Sequence, residues 1–542
     1  MLLGLATGHL NLPISATCLA AGTLAGIWVW RHYRREYRLI PEMTTIPALF
    51  FSFLVFVSFQ HFRYLLYSGQ QGLRTLHLNN FGDLSMHIQF IRHMAGGAHF
   101  WPENPEYAGE LLRYPLGIDL YNALWEALGI PMADHLFVVG LTMTIVALSL
   151  LYRWMGWWGI GAFFMNAGLS NWQCLLKGRL FDFQNEVAWK NFFLSVWITQ
   201  RGFLYAIPAG AYLTKTMTEV FLEERILSRL EKTVCAIIWS GLAWFHLHSF
   251  FVVSLFLGIC MVLYKKLRSM AGVYVPAMIV GGLFVVFSTD FFSKAGAIHL
   301  SWNWVAGKEN FISFWLVNLG PWIVLWGVAV ATLLNKANAR VRPMAFLAFV
   351  LFLVFTFVML APWNWDNIKV LLWMYLLLAW LINRTFLVHL RPLALSAIGV
   401  VAFFPGAVSL ISSLPGNNSG VELYRTEDIK ESKLALSNVP KDAVLAVDPI
   451  PNHPAVFWGA KVAMSYPGHL WSHGINYSIR ESKLEDLLKG RINGLNLARD
   501  IGVTHIYWGD NERKKYGVFD PPWRDRLKNV SRSAKIDVYE IK

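Results

Sequence analysis

The chain has 542 residues, 55% of them hydrophobic and 15% charged. That balance excludes an ordinary soluble enzyme, and several charge-free runs reach the roughly 20 apolar residues that cross a bilayer. The formal charge of +13 would suggest nucleic acid in a soluble protein, but the Lys and Arg residues gather in short loops between apolar runs; this is an orientation signal, and no nucleic-acid partner is expected.

Residues 1–30 contain no Lys, Arg, Asp or Glu, and Arg31, Arg34, Arg35 and Arg38 follow at once. A cleavable signal peptide has the reverse order, so the N-terminus is expected outside and RHYRREYR inside. A second span, Met43–Phe62, then leads into an outer loop over 63–135. Within it, Asn79, Asn80 and Gly82 are turn and cap residues, Leu84–Met94 has helical spacing, and Gly96-Gly97 ends the run. Asp83 and His87 stand four apart, on one face of such a helix.

Leu136–Tyr152 is expected to return inward and Trp154–Leu176 to go out again. The run Asn191–Thr214 is interrupted by Gln200-Arg201-Gly202, which predicts a surface helix before Arg201 and a span after it. Residues 233–264 allow one long helix or two short spans joined near His246-Leu247-His248-Ser249. Two spans keep Lys265, Lys266 and Arg268 inside, so two are expected. Ala271–Thr289, Phe311–Asn335, Pro343–Ala361, Val370–Asn383 and Leu393–Leu414 complete about twelve spans. The segments FGD, QRG, HLH, FFSKAGAIHLSWNW and PWNWDNIK then all face outward. From Pro415 the chain turns polar, with β-like runs at Ala443–Val447, Thr504–Trp508 and Ile536–Ile541 and helical patterns at 426–437, 480–489 and 491–501. The expected fold is an α-helical polytopic membrane domain over 1–414 followed by a small extracytoplasmic α/β domain over 415–542.

Each candidate group has a plain alternative. Asp83 is a natural helix N-cap, although His87, Arg92, His93, Arg113 and Tyr114 follow it within one loop. Arg201 is either an arginine that snorkels to headgroups or a phosphate clamp. His246 and His248 face different ways on a helix and share a site only on a loop; as metal ligands they lack a third partner fixed by spacing. Asp366, Asn367 and Lys369 in PWNWDNIK form either an aromatic-belt anchor with a local ion pair or a donor-side polar cluster. His299, Trp302 and Trp304 have the makings of a sugar platform, yet 25 tryptophans in a membrane protein need no sugar. The four cysteines lie in apolar runs without a CxxC pair, which indicates neither a disulfide frame nor a zinc site.

An outward Asp in the first large loop, FGDLSMHIQFIRHMAGG followed by ELLRYPLG, many spans and a polar C-terminal part together resemble the GT-C superfamily of integral membrane glycosyltransferases. The resemblance implies that a sugar moves from a polyprenyl-phosphate carrier to an acceptor glycan, lipid or protein at the surface of the membrane lipid. Asp83 takes the position of the catalytic acid and would serve as general base in an inverting transfer. Arg201, Lys369 and Arg92 would meet the leaving phosphate, with His87, Arg113, Tyr114, Gln200, His246, His248, Asp366 and Asn367 as further donor contacts. Many members carry an adjacent acidic pair where FGD has one acid, so a divalent metal stays open but is not favoured. No DxD motif or Gly-rich phosphate loop stands in an inner loop. The runner-up reading is a transporter or flippase of lipid-linked saccharides. The segment VAMSYPGHLWSHGINY looks like an element of bacterial relatives, which implies an inner membrane with the site on its periplasmic side.

Overall fold

The computed structural model describes residues 6–33, 38, 40–183, 188–290, 298–517, 521 and 523–541. Parts of RHYRREYR and of FFSKAGAIHLSWNW lie outside the described residues. Among the described residues, six helices are long and apolar enough to cross a membrane: Leu12–Tyr33, Thr45–Arg63, Met132–Phe164, Leu267–Ser288, Asn364–His389 and Pro392–Ser412. The pair Phe311–Leu319 and Pro321–Thr332 is apolar enough only when taken together, as a broken span or a re-entrant loop, and is bent by 100° at Gly320, whose φ of 54° suits glycine. The protein is thus a helical membrane protein. The helix that begins at Asn364 is buried along most of its length, as a helix apolar all round should be. It packs against Met132–Phe164, Pro321–Thr332, Leu247–Leu263 and Arg342–Phe355, and so forms the centre of the bundle.

Two sequence boundaries change, and the expected break near His246 holds. The helix Met132–Phe164 breaks at Gly156, where φ is 65° and ψ is −163°, and only a few turns follow before Met165. Trp154–Leu176 is therefore not one continuous helix; it continues as the short helices Leu169–Trp172 and Gln173–Lys177. The run 233–264 is two helices, Arg229–Phe245 and Leu247–Leu263, separated at His246, whose backbone is extended. Arg342–Phe355 ends well short of Ala361, and Val358–Met359 pairs instead with His299–Leu300.

The polar C-terminal part carries a five-stranded mixed sheet in the order Lys461–Val462, Val444–Ala446, His505–Trp508, Asp537–Glu540, Lys528–Arg532. A separate three-stranded antiparallel sheet joins Tyr67–Ser68 and Gly72–Thr75 of the first loop to Val421–Arg425. The first loop and the C-terminal part therefore share backbone hydrogen bonds. Ala108 N–H donates to Val462 O at 3.1 Å, Val462 N–H to Pro105 O at 2.9 Å, and Ser465 N–H to Glu106 O at 2.8 Å. Docking is tightened at Gly459, whose φ is +75° and where a Cβ would stand 2.6 Å from His93 N. Only glycine lets that turn lie flat on the helix Asn80–Ala95.

Candidate functional site

The helix Asn80–Ala95 begins at Asn80, with Asn79 at its N-cap, and ends at Gly96. Asp83 therefore sits inside the first turn and is not the cap that its residue type suggested. A carboxylate there is still favoured by the helix dipole. Its Oδ2 accepts a hydrogen bond from Gln200 Nε2 at 3.0 Å. Burial pushes its pKa up, against the pull of His469, His87 and Lys369.

Asp83 lines a cavity of about 650 Å³. Of the sequence candidates, His87, Arg113, Tyr114, Gln200, Arg201, His246, His248, Asp366 and Lys369 line the same cavity, as does His299. Segments hundreds of residues apart thus converge on one space. The convergence depends on Gly202: a Cβ at that position would lie 2.1 Å from Phe245 O, so only glycine lets the Gln200-Arg201 turn press against the break at His246.

The ionic partners in and around the cavity are unevenly distributed. Asp366 pairs with Lys369 at 2.6 Å. Asp119, fully buried, faces His87 Nδ1 at 2.9 Å with both oxygens, and since a carboxylate can only accept, Nδ1 carries the proton. Glu106 accepts from His469 Nδ1 at 2.8 Å. Arg113 donates to Phe287 O at 2.9 Å and pairs with Asp290 at 2.8 Å. Asp83 alone among these acids has an amide rather than a cation or imidazole as its hydrogen-bond partner.

The reverse imbalance holds for donors. Arg201 is 2% exposed, yet its Nε, Nη1 and Nη2 have no hydrogen-bond partner. His246 Nδ1 accepts from Ser249 N–H at 3.1 Å, which puts the proton of the neutral ring on Nε2, and Nε2 is also buried without a partner. Leaving a buried guanidinium unpaired costs several kcal/mol, so donors arranged in this way are chemically suited to an anion. His248, its ring 5.7 Å from that of His246, adds to the same wall. Burial pushes the Tyr114 phenol well above its ordinary pKa, which keeps it a neutral hydroxyl.

Two sequence candidates are placed elsewhere. Arg92 does not reach this cavity. Its Nε donates to Glu126 at 3.1 Å, its Nη1 to Phe457 O at 2.9 Å, and the guanidinium lies 4.0 Å over the Phe457 ring and 4.7 Å over that of Trp458. Its neighbours make it a bolt between the first loop and the C-terminal part. Asn367 also faces away: it holds the turn before its own helix, bonding Leu360 N–H, Ala361 O and Trp363 O.

Asp83, Gln200 and Trp363 line a second cavity as well, of about 410 Å³, with Asn79, Ser195, Thr199, Lys190, Trp304 and Trp365. Asp83 thus stands on the wall between two spaces of different character. Trp304 is buried there and its Nε1 donates to Phe355 O at 2.9 Å, whereas Trp302 is 83% exposed and stacks on Phe357.

Asp119, Glu106, His469 and His473 were not singled out from the sequence. The first is a lone acid in an ordinary helix, Gly117–Ala127, and gives no signal. His469 and His473 do carry one, since they stand four apart in YPGHLWSH and the helix Pro467–Ser472 brings both to the cavity. Among the described residues no group of three or more His, Cys, Asp or Glu side chains is arranged to hold a metal ion. Compared with protein-family models and with curated proteins, the chain matches none.

Proposed function

We propose that this chain is an integral-membrane glycosyltransferase of the GT-C kind, which moves a sugar from a polyprenyl-phosphate carrier to an acceptor hydroxyl with Asp83 as general base. The observation that carries this reading is the pairing imbalance: one buried carboxylate whose hydrogen-bond partner is a neutral amide stands in the same cavity as buried guanidinium and imidazole donors that have no hydrogen-bond partner. In the reaction the acceptor oxygen attacks the anomeric carbon, its proton passes to an Asp83 oxygen, and the bond from that carbon to the phosphate oxygen breaks. The electron pair leaves on the phosphate, whose growing charge Arg201 and His246 Nε2 would meet. A single displacement inverts the anomeric centre. A double displacement needs a second free carboxylate, and Asp119, Asp366 and Glu106 are each engaged.

The charges also favour the class of donor. Lys369 and Arg113 are already neutralised by Asp366 and Asp290, whereas Arg201 has no hydrogen-bonded acid, and the acid whose charge reaches it, Asp119, is tied to His87. One uncompensated charge suits a phosphodiester, with its single negative charge, better than a diphosphate. The second cavity, with hydroxyl, amide and indole walls and Asp83 on its boundary, suits the acceptor.

The finer topology belongs to the same proposal. Twelve crossings result if the helices Phe203–Leu222, Arg229–Phe245, Leu247–Leu263 and Arg342–Phe355 also cross, if Met132–Lys177 crosses twice, and if the bent pair at Gly320 crosses as one broken span. The site and the C-terminal α/β domain then lie on the periplasmic side of a bacterial inner membrane. The second reading, a transporter of lipid-linked saccharides, draws on those broken helices, which line sites in many transporters.

The test is release of free polyprenyl phosphate by the purified protein in liposomes, given a panel of polyprenyl-phosphate sugars and a crude acceptor extract. Release by the native protein that disappears in Asp83→Asn, with carrier binding retained, supports the transferase. Carrier movement across the bilayer without release from either protein would establish the transporter instead.

A further inference from the structure

The pair formed by Glu106 and His469 is unused by the reaction as derived, although it is buried beside its base. Glu106 is 1% exposed and its Oε1 holds His469 Nδ1 at 2.8 Å. Its backbone is fixed from both sides: Asn104 Oδ1 accepts from Glu106 N–H at 3.0 Å, and Ser465 N–H donates to Glu106 O. Ser465 lies only four residues before His469, so the strand-like pairing that docks the C-terminal part also sets the pitch of the imidazole. With Nδ1 committed to Glu106, the other nitrogen points across the site. A Cβ on Gly82 would stand 3.4 Å from His469 Nε2, which places that nitrogen against the turn bearing Asp83.

We propose that Glu106 and His469 are a positioning pair for Asp83: the glutamate holds the imidazole in its charged form, and that charge keeps the buried aspartate ionised and able to accept a proton. This gives the C-terminal part a role in the site beyond covering it. The inference rests on the transferase reading only for what Asp83 then does with the proton.

Other groups face Asp83 and set the background. His87 comes from its own helix and is tied to Asp119, Gln200 comes from the turn before Phe203, and Lys369 and Asp366 come from the central helix as a closed ion pair. Tyr114 and His473 complete the wall, their rings 4.9 Å apart. Lys369 is largely cancelled by Asp366 and His87 by Asp119, whereas His469 is the cationic group that acts most strongly on Asp83. For His469 itself, burial lowers its pKa but Glu106 and Asp83 outweigh that, and the net direction is upward. Of the two acids that would keep it charged, Glu106 is its hydrogen-bond partner.

The experiment is an infrared titration of the full-length protein in detergent. Asp83→Asn identifies the carboxyl band of Asp83, and its midpoint is then followed in the native protein, His469→Gln and Glu106→Gln. The last variant keeps an oxygen for Nδ1–H to bond while removing the charge. Both variants should move the Asp83 midpoint to higher pH by about one unit. A midpoint that stays at the native value in either variant overturns the pair, and if His469→Gln does not fold, Glu106→Gln decides alone. The midpoint does not depend on turnover. A shifted midpoint in a protein that releases no polyprenyl phosphate leaves the pairing standing and removes the transferase reading, and the opposite result does the reverse.

Discussion

Arg92 and Arg201 are both arginines withdrawn from solvent on the same side of the protein, and they differ in whether their donors are satisfied. Arg92 has a carboxylate, a backbone carbonyl and two aromatic faces. Arg201 has none of these. A buried cation with full partners contributes to structure, whereas one without them raises the energy of the empty protein until an anion arrives. Satisfaction of the donors therefore distinguishes the two arginines, which residue type cannot do, and it is what the proposed binding role of Arg201 rests on.

Substituting each arginine should give opposite results. Arg201→Ala is expected to weaken binding of polyprenyl phosphate by at least 100-fold, about 3 kcal/mol, the scale of losing a desolvated charge-assisted contact. Its melting temperature without lipid should stay level or rise, because an uncompensated charge has been removed. Arg92→Ala should cost about 2–4 kcal/mol of stability and speed hydrogen exchange around Phe457–Val462, with lipid affinity changed only a few-fold. Thermal melts with and without polyprenyl phosphate check both variants. An Arg201 variant that melts early while binding lipid normally would make Arg201 another joint and dissolve the contrast.

Much of the cavity was legible because its signals are local. The four-residue step from Asp83 to His87, the interruption Gln200-Arg201-Gly202 and the polar break around His246 each depend on neighbours in sequence, and the structure brings those residues to one cavity. Arg92 was misassigned for the same reason: it lies on the same helix as Asp83 and His87, but on the face that docks against Phe457 and Gly459. Which face is docked depends on residues more than 360 positions away. Asp119 and Glu106 were missed because a lone acid carries no pattern until its imidazole arrives from elsewhere. The apolar run 154–176 read as one span since periodicity does not register the dihedral angles at Gly156. The inner and outer sides, which rest on the placement of basic loops, are a property of the membrane rather than of the fold.

A smaller effect is expected at the docking turn itself. Gly459→Ala must place a methyl group 2.6 Å from His93 N and 2.8 Å from Arg92 C, both backbone atoms, at a φ of +75°. The cost should be about 1–3 kcal/mol, paid at the joint. Hydrogen exchange should show faster opening of the C-terminal sheet edge near Lys461–Val462. The cavity that Asp83 and Arg201 line does not include Arg92, His93 or Gly459, so lipid binding should persist in the molecules that remain docked. Equal loss of docking and binding would mean that the two faces are not separable.

The smallest expected effect tests whether the joint and the site share a proton. For Glu106, burial raises the pKa but the charge and hydrogen bond of His469, together with His473 and Ser465, outweigh it, so the net shift is downward; its contribution is present above the ordinary value and is lost as pH falls through the lower folded value. For His469 the net shift is upward, so its contribution is full below the ordinary value and is lost as pH rises through the higher folded value. Protection of residues 462–473 from hydrogen exchange should therefore be greatest between about pH 4.5 and 6.5, the ordinary values of the two groups, and fall on either side. One limb on each side of that window follows from the opposite directions of the two shifts. Glu106→Gln should flatten both limbs, because a neutral amide gives the imidazolium no charge to lose. If the limbs persist in that variant, the pH dependence of docking lies in another pair, and the joint and the site are chemically independent despite their shared segment.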